Sequence, residues 1–113
     1  MIHILEDDPG VSHALRLLLE QLGHEVSCHP DAESFFELAP PHHEDLVIVD
    51  LALPGISGVQ VVRWINELAD PPRVVIMSGL PQTAIDREIS GSVKRPPVVV
   101  RKPLTEAAIA ALL

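Results

Sequence analysis

Short apolar runs alternate with helical patterns of apolar residues along the whole 113-residue chain. Most of the apolar runs are rich in Val and Ile and lack polar alternation, which indicates strands buried on both faces. Five strands are predicted, over residues 2–6, 25–29, 46–49, 74–77 and 98–100. Buried strands that alternate with helices predict a parallel sheet covered by helices on both sides.

Each predicted strand is followed by a segment in which apolar residues recur at helical spacing. The first of these helices has its apolar stripe at Val11, Leu15, Leu18, Leu19 and Leu22. We expect Asp8 to cap its N-terminus and Gly23 to follow its C-terminus. The later helices are predicted over residues 31–38, along Val61, Ile65 and Leu68, over residues 83–89, and from about Thr105 along Leu104, Ala108, Ala111 and Leu112.

The alternation predicts an α/β fold with a flavodoxin-like, doubly wound sheet of five parallel strands. For such a sheet the strand order 2-1-3-4-5 is expected, and the ligand site lies beyond the carboxyl ends of strands 1 and 3. Residues 1–113 are expected to form one domain, since a domain typically takes about 100–200 residues. The last predicted helix stops with the chain, so we expect it to be cut short.

Composition and charge exclude several other classes of protein. The net charge of −8 makes a sequence-independent grip on nucleic acid unexpected. No apolar run approaches the roughly 18 residues of a membrane span, and no basic segment precedes an apolar run at the N-terminus as in a signal peptide. The one cysteine, Cys28, fits a reducing environment, so a cytoplasmic location is expected.

Residues with reactive side chains stand at the predicted ends of four strands. Glu6 and Asp7 end the first strand, Asp50 follows the third, Ser78 follows the fourth and Lys102 follows the fifth. Clustered carboxylates repel one another and favour a bound cation, for which oxygen ligands make Mg²⁺ the best candidate. Because a carboxylate can act as a nucleophile and form an aspartyl-phosphate, Asp50 is the candidate phosphoacceptor. Ser78 would donate a hydrogen bond to the phosphoryl group, and Lys102 would pair with its charge or with Asp50.

Each of these residues also has an ordinary structural interpretation. Asp8 is explained as a helix cap, and the acids before it could simply favour the positive end of the helix. Asp50 could cap a turn, Ser78 could belong to a plain loop and Lys102 could be a surface charge. Their coincidence at the ends of neighbouring strands favours the functional interpretation.

Four segments contain these residues, in one order and at a characteristic spacing. They are Ile-Leu-Glu-Asp-Asp-Pro (4–9), Val-Ile-Val-Asp-Leu-Ala-Leu-Pro-Gly-Ile-Ser-Gly (47–58), Val-Ile-Met-Ser-Gly (75–79) and Val-Arg-Lys-Pro-Leu (100–104). Together they resemble the response regulator receiver domain of two-component signalling, over nearly the whole chain.

The resemblance implies that Asp50 accepts a phosphoryl group from a phosphohistidine on a sensor histidine kinase or a histidine phosphotransfer protein. It implies a Mg²⁺ site made by Glu6, Asp7, Asp50 and the backbone carbonyl of Ala52, and a cis peptide before Pro103. Such a domain catalyses only its own phosphorylation and dephosphorylation, so we do not expect a turnover enzyme.

The stretch 23–38 resembles receivers that precede a LuxR-type helix-turn-helix output domain. That resemblance implies a C-terminal DNA-binding domain outside this chain and a homodimer that depends on phosphorylation. The chain departs from the family at Val99, where the family usually has an aromatic residue that takes part in switching. The polar, proline-rich segment 90–97 is also unusual, and we expect a short or distorted helix before it.

Three other functions are compatible with parts of this pattern. A degenerate receiver that binds partners without being phosphorylated is the main alternative, supported by Val99 and the segment 90–97. An aspartyl phosphatase is disfavoured, because Ala52 stands where such enzymes have a second acid. A flavin binder is disfavoured by an aromatic content of only 3%.

Overall fold

The computed structural model describes residues 1–38, 40–79, 98–101 and 105–111. Five strands are present: β1 (Ile2–Leu5), β2 (Val26–His29), β3 (Leu46–Asp50), β4 (Arg73–Ser78) and β5 (Val98–Arg101). They form one sheet in the order β2-β1-β3-β4-β5, and every neighbouring pair is parallel. The predicted strand order is confirmed.

Four helices lie in the described part of the chain: α1 (Pro9–Gln21), α2 (Ala32–Phe36), α3 (Gly58–Asn66) and α4 (Glu106–Ala110). Asp8 caps α1 as predicted, since its side chain accepts hydrogen bonds from the amides of Gly10 and Val11. Gly23 has a φ of 91°, a conformation that glycine adopts without strain after a helix. None of the helices in these ranges is long and apolar enough to cross a membrane. The predicted helix over residues 83–89, the segment 90–97 and the Lys102–Pro103 peptide lie outside the described residues.

Four predicted helices differ in detail from the structure. Leu22, placed on the apolar stripe of the first helix, follows the end of α1 and is exposed. Leu68, placed on the stripe of the third helix, lies beyond the end of α3 at Asn66.

The other two differences lie in α2 and α4. The helix predicted over residues 31–38 has Asp31 as its N-terminal cap and ends at Phe36, two residues earlier than predicted. In α4 the fully buried residue is Ile109, whereas Ala111, placed on the buried stripe from the sequence, is exposed. Ile109 occupies the core because its side chain is larger than that of Ala111, so its burial removes more apolar surface from water.

The strands direct alternate side chains into two apolar layers. Ile4, Ile48 and Met77 pack with residues of α1 and α4 on one side of the sheet. Leu5, Val49 and other strand residues pack with α2 and α3 on the other side. The sheet is therefore covered on both faces, and its carboxyl edge is the place where a polar site can form without disturbing the core.

Two histidines interrupt the apolar layer beneath α2. His3 and His29 stack with ring centroids 6.0 Å apart, and each meets Phe35 edge-on at 5.4 Å. His3 Nε2 lies 3.2 Å from a carboxylate oxygen of Asp45, and His29 Nε2 lies 3.1 Å from the hydroxyl of Ser27. Burial, and then the neighbouring His3, lower the pKa of His29 below its ordinary value of 6.5, although Asp31 opposes this shift.

The lowered pKa of His29 predicts that the domain loses stability in mild acid. The unfolded chain binds this proton more readily than the folded chain, so the free energy of unfolding falls as the pH drops below the ordinary pKa of about 6.5. We expect His29→Gln to flatten this decline between about pH 7 and about pH 5.5, measured by urea unfolding at each pH. His24→Gln, at an exposed position before β2, is the matched control and is expected to leave the decline unchanged. Equal slopes for His29→Gln and the unmodified protein would contradict this assignment.

Candidate functional site

Three carboxylates meet where the adjacent strands β1 and β3 end. One ligand oxygen from each of Glu6, Asp7 and Asp50 lies within 4.8 Å of the other two. Glu6 and Asp50 are buried, with exposed fractions of 3% and 4%, whereas Asp7 is exposed to solvent. The sequence-based expectation that these side chains converge at the switch point of the sheet agrees with this geometry.

The acids at residues 6–8 have separate structural roles. The backbone amide of Glu6 donates to the carbonyl of His29 at 3.0 Å, which extends the pairing of β1 with β2 by one residue. The Glu6 side chain accepts a hydrogen bond from the amide of Asp8 at 3.1 Å. The Asp8 carboxylate is engaged with the first turn of α1 and is not part of the group of three. Asp8 is therefore a helix cap, while Glu6 and Asp7 face the site.

Asp50 is the last residue of β3 and turns its side chain toward the loop that follows. Its Oδ1 accepts a hydrogen bond from the amide of Ala52 at 2.9 Å. This is the turn-capping bond that the ordinary interpretation of Asp50 anticipates. The bond fixes the orientation of the Asp50 carboxylate at the end of β3.

Ser78 lies on the same edge of the sheet. It is the last residue of β4, is 3% exposed, and pairs in register with Arg101 at the end of β5. Asp50 pairs with Met77, the preceding residue, so the ends of β3 and β4 lie side by side. Lys102 and its contacts lie outside the described residues. Val99 is partly buried and packs against the apolar layer that contains α2 and α3.

The donor set fits a hard divalent cation. Its three side chains offer only carboxylate oxygens, two of them are buried, and the repulsion among them is relieved by a positive charge. Mg²⁺ typically binds through one or two carboxylates together with water and phosphate oxygens. An exposed acid beside two buried ones leaves one side of the cluster open to such partners.

Two residues near the site were not singled out from the sequence as functional. Gly58, the first residue of α3, lies so close to the end of β3 that an added Cβ would stand 2.5 Å from the Asp50 carbonyl oxygen. Glu33 of α2 accepts a hydrogen bond from the amide of Ile56, in the loop after β3. In the sequence Gly58 indicates only a loop, so its close approach to β3 could not be predicted. Glu33 is one acid among many, so its hydrogen bond with Ile56 could not be predicted either.

A doubly wound parallel sheet with clustered carboxylates at its switch point defines a class of α/β domain that places an acidic site at the carboxyl ends of its strands. The chain belongs to the response regulator receiver domain family, whose model matches residues 2–112. It is therefore a signalling domain of the two-component response regulators, a family whose receiver domains interact with histidine kinases and output domains.

Curated relatives agree with this assignment, and a solved structure shares the fold. The transcriptional regulatory protein FixJ of Azorhizobium caulinodans is 31% identical over 78 residues, which is 69% of this chain and 37% of FixJ. The two-component response regulator PhoP of Pseudomonas aeruginosa is 38% identical over 75 residues, 66% of this chain and 33% of PhoP. The BeF3-activated receiver domain of DrrB, from Thermotoga maritima, has the same fold, with a TM-score of 0.81 at 23% identity over 98% of this chain and 91% of that one. The matched segment is thus only about a third of the length of these two curated relatives.

Proposed function

We propose that this domain is a phosphoacceptor switch in which Asp50 accepts a phosphoryl group from a sensor histidine kinase or a histidine phosphotransfer protein. The observation that carries the proposal is the group of three carboxylates within 4.8 Å, in which Asp50 ends a buried strand. Membership of the receiver family supports the same role.

In the proposed reaction a carboxylate oxygen of Asp50 attacks the phosphorus atom of the donor. The new oxygen–phosphorus bond forms while the bond from phosphorus to the leaving group breaks, and no atom is oxidised or reduced. The Ala52 amide, which donates to Asp50 Oδ1, holds the carboxylate in one orientation. Ser78 would donate a hydrogen bond from its hydroxyl group to a phosphoryl oxygen, and Lys102 would balance the negative charge.

Glu6, Asp7, Asp50 and the backbone carbonyl of Ala52 would hold Mg²⁺. The bound ion supplies charge neutralisation for the carboxylates and the incoming phosphoryl group. Glu6 and Asp50 are preorganised for this role, because each side chain accepts a hydrogen bond from a nearby backbone amide. Asp7 is exposed and is the carboxylate best placed to meet an ion arriving from solvent.

The partners of the whole protein are also part of the proposal. FixJ and PhoP are a transcriptional regulatory protein and a response regulator, and the matched segment covers about a third of each. A C-terminal output domain of the LuxR-type helix-turn-helix class outside this chain, which would bind DNA, fits that difference in length. A phosphorylation-dependent homodimer and a cytoplasmic location fit the same class of regulator. The domain itself would turn over only its own phosphoryl group.

Treatment with acetyl phosphate tests the proposed phosphoacceptor function directly. With Mg²⁺ present, we expect the intact mass to rise by one phosphoryl group, and peptide mapping after borohydride reduction to place the modification at Asp50. Without Mg²⁺, we expect little modification, because the clustered carboxylates repel the anionic donor. A mass that never rises with saturating Mg²⁺ and donor would contradict the proposal and favour a receiver that acts without phosphorylation.

A further inference from the structure

The carboxylate of Glu33 crosses from α2 to the loop that follows β3. Its Oε1 accepts a hydrogen bond from the backbone amide of Ile56 at 3.1 Å, across 23 residues of sequence. A Cβ built on Gly55 would lie 3.1 Å from Oε1 and 3.3 Å from Oε2, so the carboxylate lies directly against the Gly55 backbone. Gly55 has a φ of 70°, a conformation that a side chain at this position would disfavour.

This loop, residues 51–56, is held at both ends by bonds from its own neighbourhood. At its start the Ala52 amide donates to Asp50 Oδ1 at 2.9 Å. At its end Ser57 and Gln60 form a reciprocal capping box that begins α3. Glu33 holds the loop near Gly55 and Ile56 from an element that is remote in sequence, so it limits how far the loop can move from the site.

The helix that carries Glu33 is itself firmly packed. Phe35 is 2% exposed and meets the indole ring of Trp64 edge-on at 5.9 Å. Phe36 lies 4.7 Å from the same indole ring, between ring centroids. Asp31 caps the helix with a hydrogen bond from the Ser34 amide at 2.8 Å. Glu33 therefore links a fixed helix to the loop that contains Ala52.

We propose that Glu33 is a positioning residue for the phosphoacceptor site, which holds the loop 51–56 so that the Ala52 backbone stays in place for the cation. This inference rests on the proposed function, since it assigns Ala52 to the cation site. Without the Glu33 bond, the loop samples more conformations and must be ordered again when the ion binds, which weakens binding.

Isothermal titration calorimetry with Mg²⁺ alone tests the role of Glu33. We expect Glu33→Ala to raise the Mg²⁺ dissociation constant about threefold to tenfold. Residues that support metal ligands typically change metal affinity by about 10-fold to 100-fold. We expect a smaller effect here because Glu33 is exposed. Glu33→Gln keeps an acceptor oxygen for the Ile56 amide and is expected to recover most of the affinity. Acetyl phosphate labelling of Glu33→Ala is expected to be slow at low Mg²⁺ and normal at saturating Mg²⁺.

Two control variants separate positioning from general effects. Glu37→Ala removes an exposed acid next to the end of α2 and is expected to leave Mg²⁺ affinity unchanged. If Glu33→Gln binds as weakly as Glu33→Ala, charge rather than the hydrogen bond sets the affinity, and the positioning role is wrong. Asp7→Asn provides the reference for a lost ligand. Weak binding by Asp7→Asn with normal binding by Glu33→Ala would overturn only this inference, whereas normal binding by both would contradict the proposed cation site itself.

Discussion

Asp50→Asn is expected to abolish labelling by acetyl phosphate and, at the same time, to stabilise the domain without Mg²⁺. The amide cannot act as the nucleophile, whereas its oxygen can still accept the hydrogen bond from Ala52. Removing one negative charge from three carboxylates whose oxygens lie within 4.8 Å relieves their repulsion. We expect the free energy of unfolding to rise by about 1 to 4 kcal/mol, the Coulomb energy of two charges about 4 Å apart between the limits of bulk water and a protein surface.

Intact mass spectrometry and urea unfolding measure the two effects of Asp50→Asn separately. Asp8→Asn is the matched control, because Asp8 is an adjacent acid that serves as a helix cap and Asn is an equally good cap. We expect Asp8→Asn to be labelled like the unmodified protein and to keep its stability. Labelling of Asp50→Asn at the normal rate would place the phosphoacceptor elsewhere, and a loss of stability would show that the carboxylate cluster is not repulsive in the folded domain.

Gly58→Ala is expected to destabilise the domain by about 3 kcal/mol, near the upper end of the usual cost of overpacking. An added Cβ would lie 2.5 Å from the Asp50 carbonyl oxygen and 2.7 Å from the Cα of Leu51. Both are backbone atoms at the end of a central strand, so they cannot move aside as a flexible side chain does. The start of α3 must then shift away from β3, which also displaces the loop 51–56.

Urea unfolding of Gly58→Ala should be compared with Gly79→Ala, which follows Ser78 on the same edge of the sheet. A Cβ on Gly79 would meet no heavy atom of the described residues within 4 Å, so we expect the stability of Gly79→Ala to change by less than about 0.5 kcal/mol. Weaker acetyl phosphate labelling is expected for Gly58→Ala even in conditions where it is folded. Similar stabilities for the two alanine variants would show that α3 can move away from β3 at little cost.

Local patterns were enough to predict most of the fold and the meeting of three acids at one edge of the sheet. The apolar runs predicted the strands, and the rules for right-handed crossovers then limited the sheet to the order that is observed. The strands β3 and β4 extend one residue beyond their apolar runs, to Asp50 and Ser78, because sheet pairing depends on backbone groups and continues into polar residues. The convergence of Glu6, Asp7 and Asp50 followed from strand order alone.

Contacts between elements that are distant in sequence could not be predicted in the same way. The bond from the Ile56 amide to Glu33 depends on how α2 packs against α3 through Phe35, Phe36 and Trp64. The burial of His29 on an outer strand depends on α2 covering it, and the sequence gives no sign of that cover.

The sequence by itself therefore determined the strand order, the cap of α1 and the acids at the carboxyl edge, since each follows from residue spacing or from the nearest strand. Only the tertiary structure decided the close approach of Gly58 to β3, the Glu33 bond and the choice of Ile109 for the core. These depend on distances between packed elements, which are set by the shapes of many side chains together and not by any local pattern.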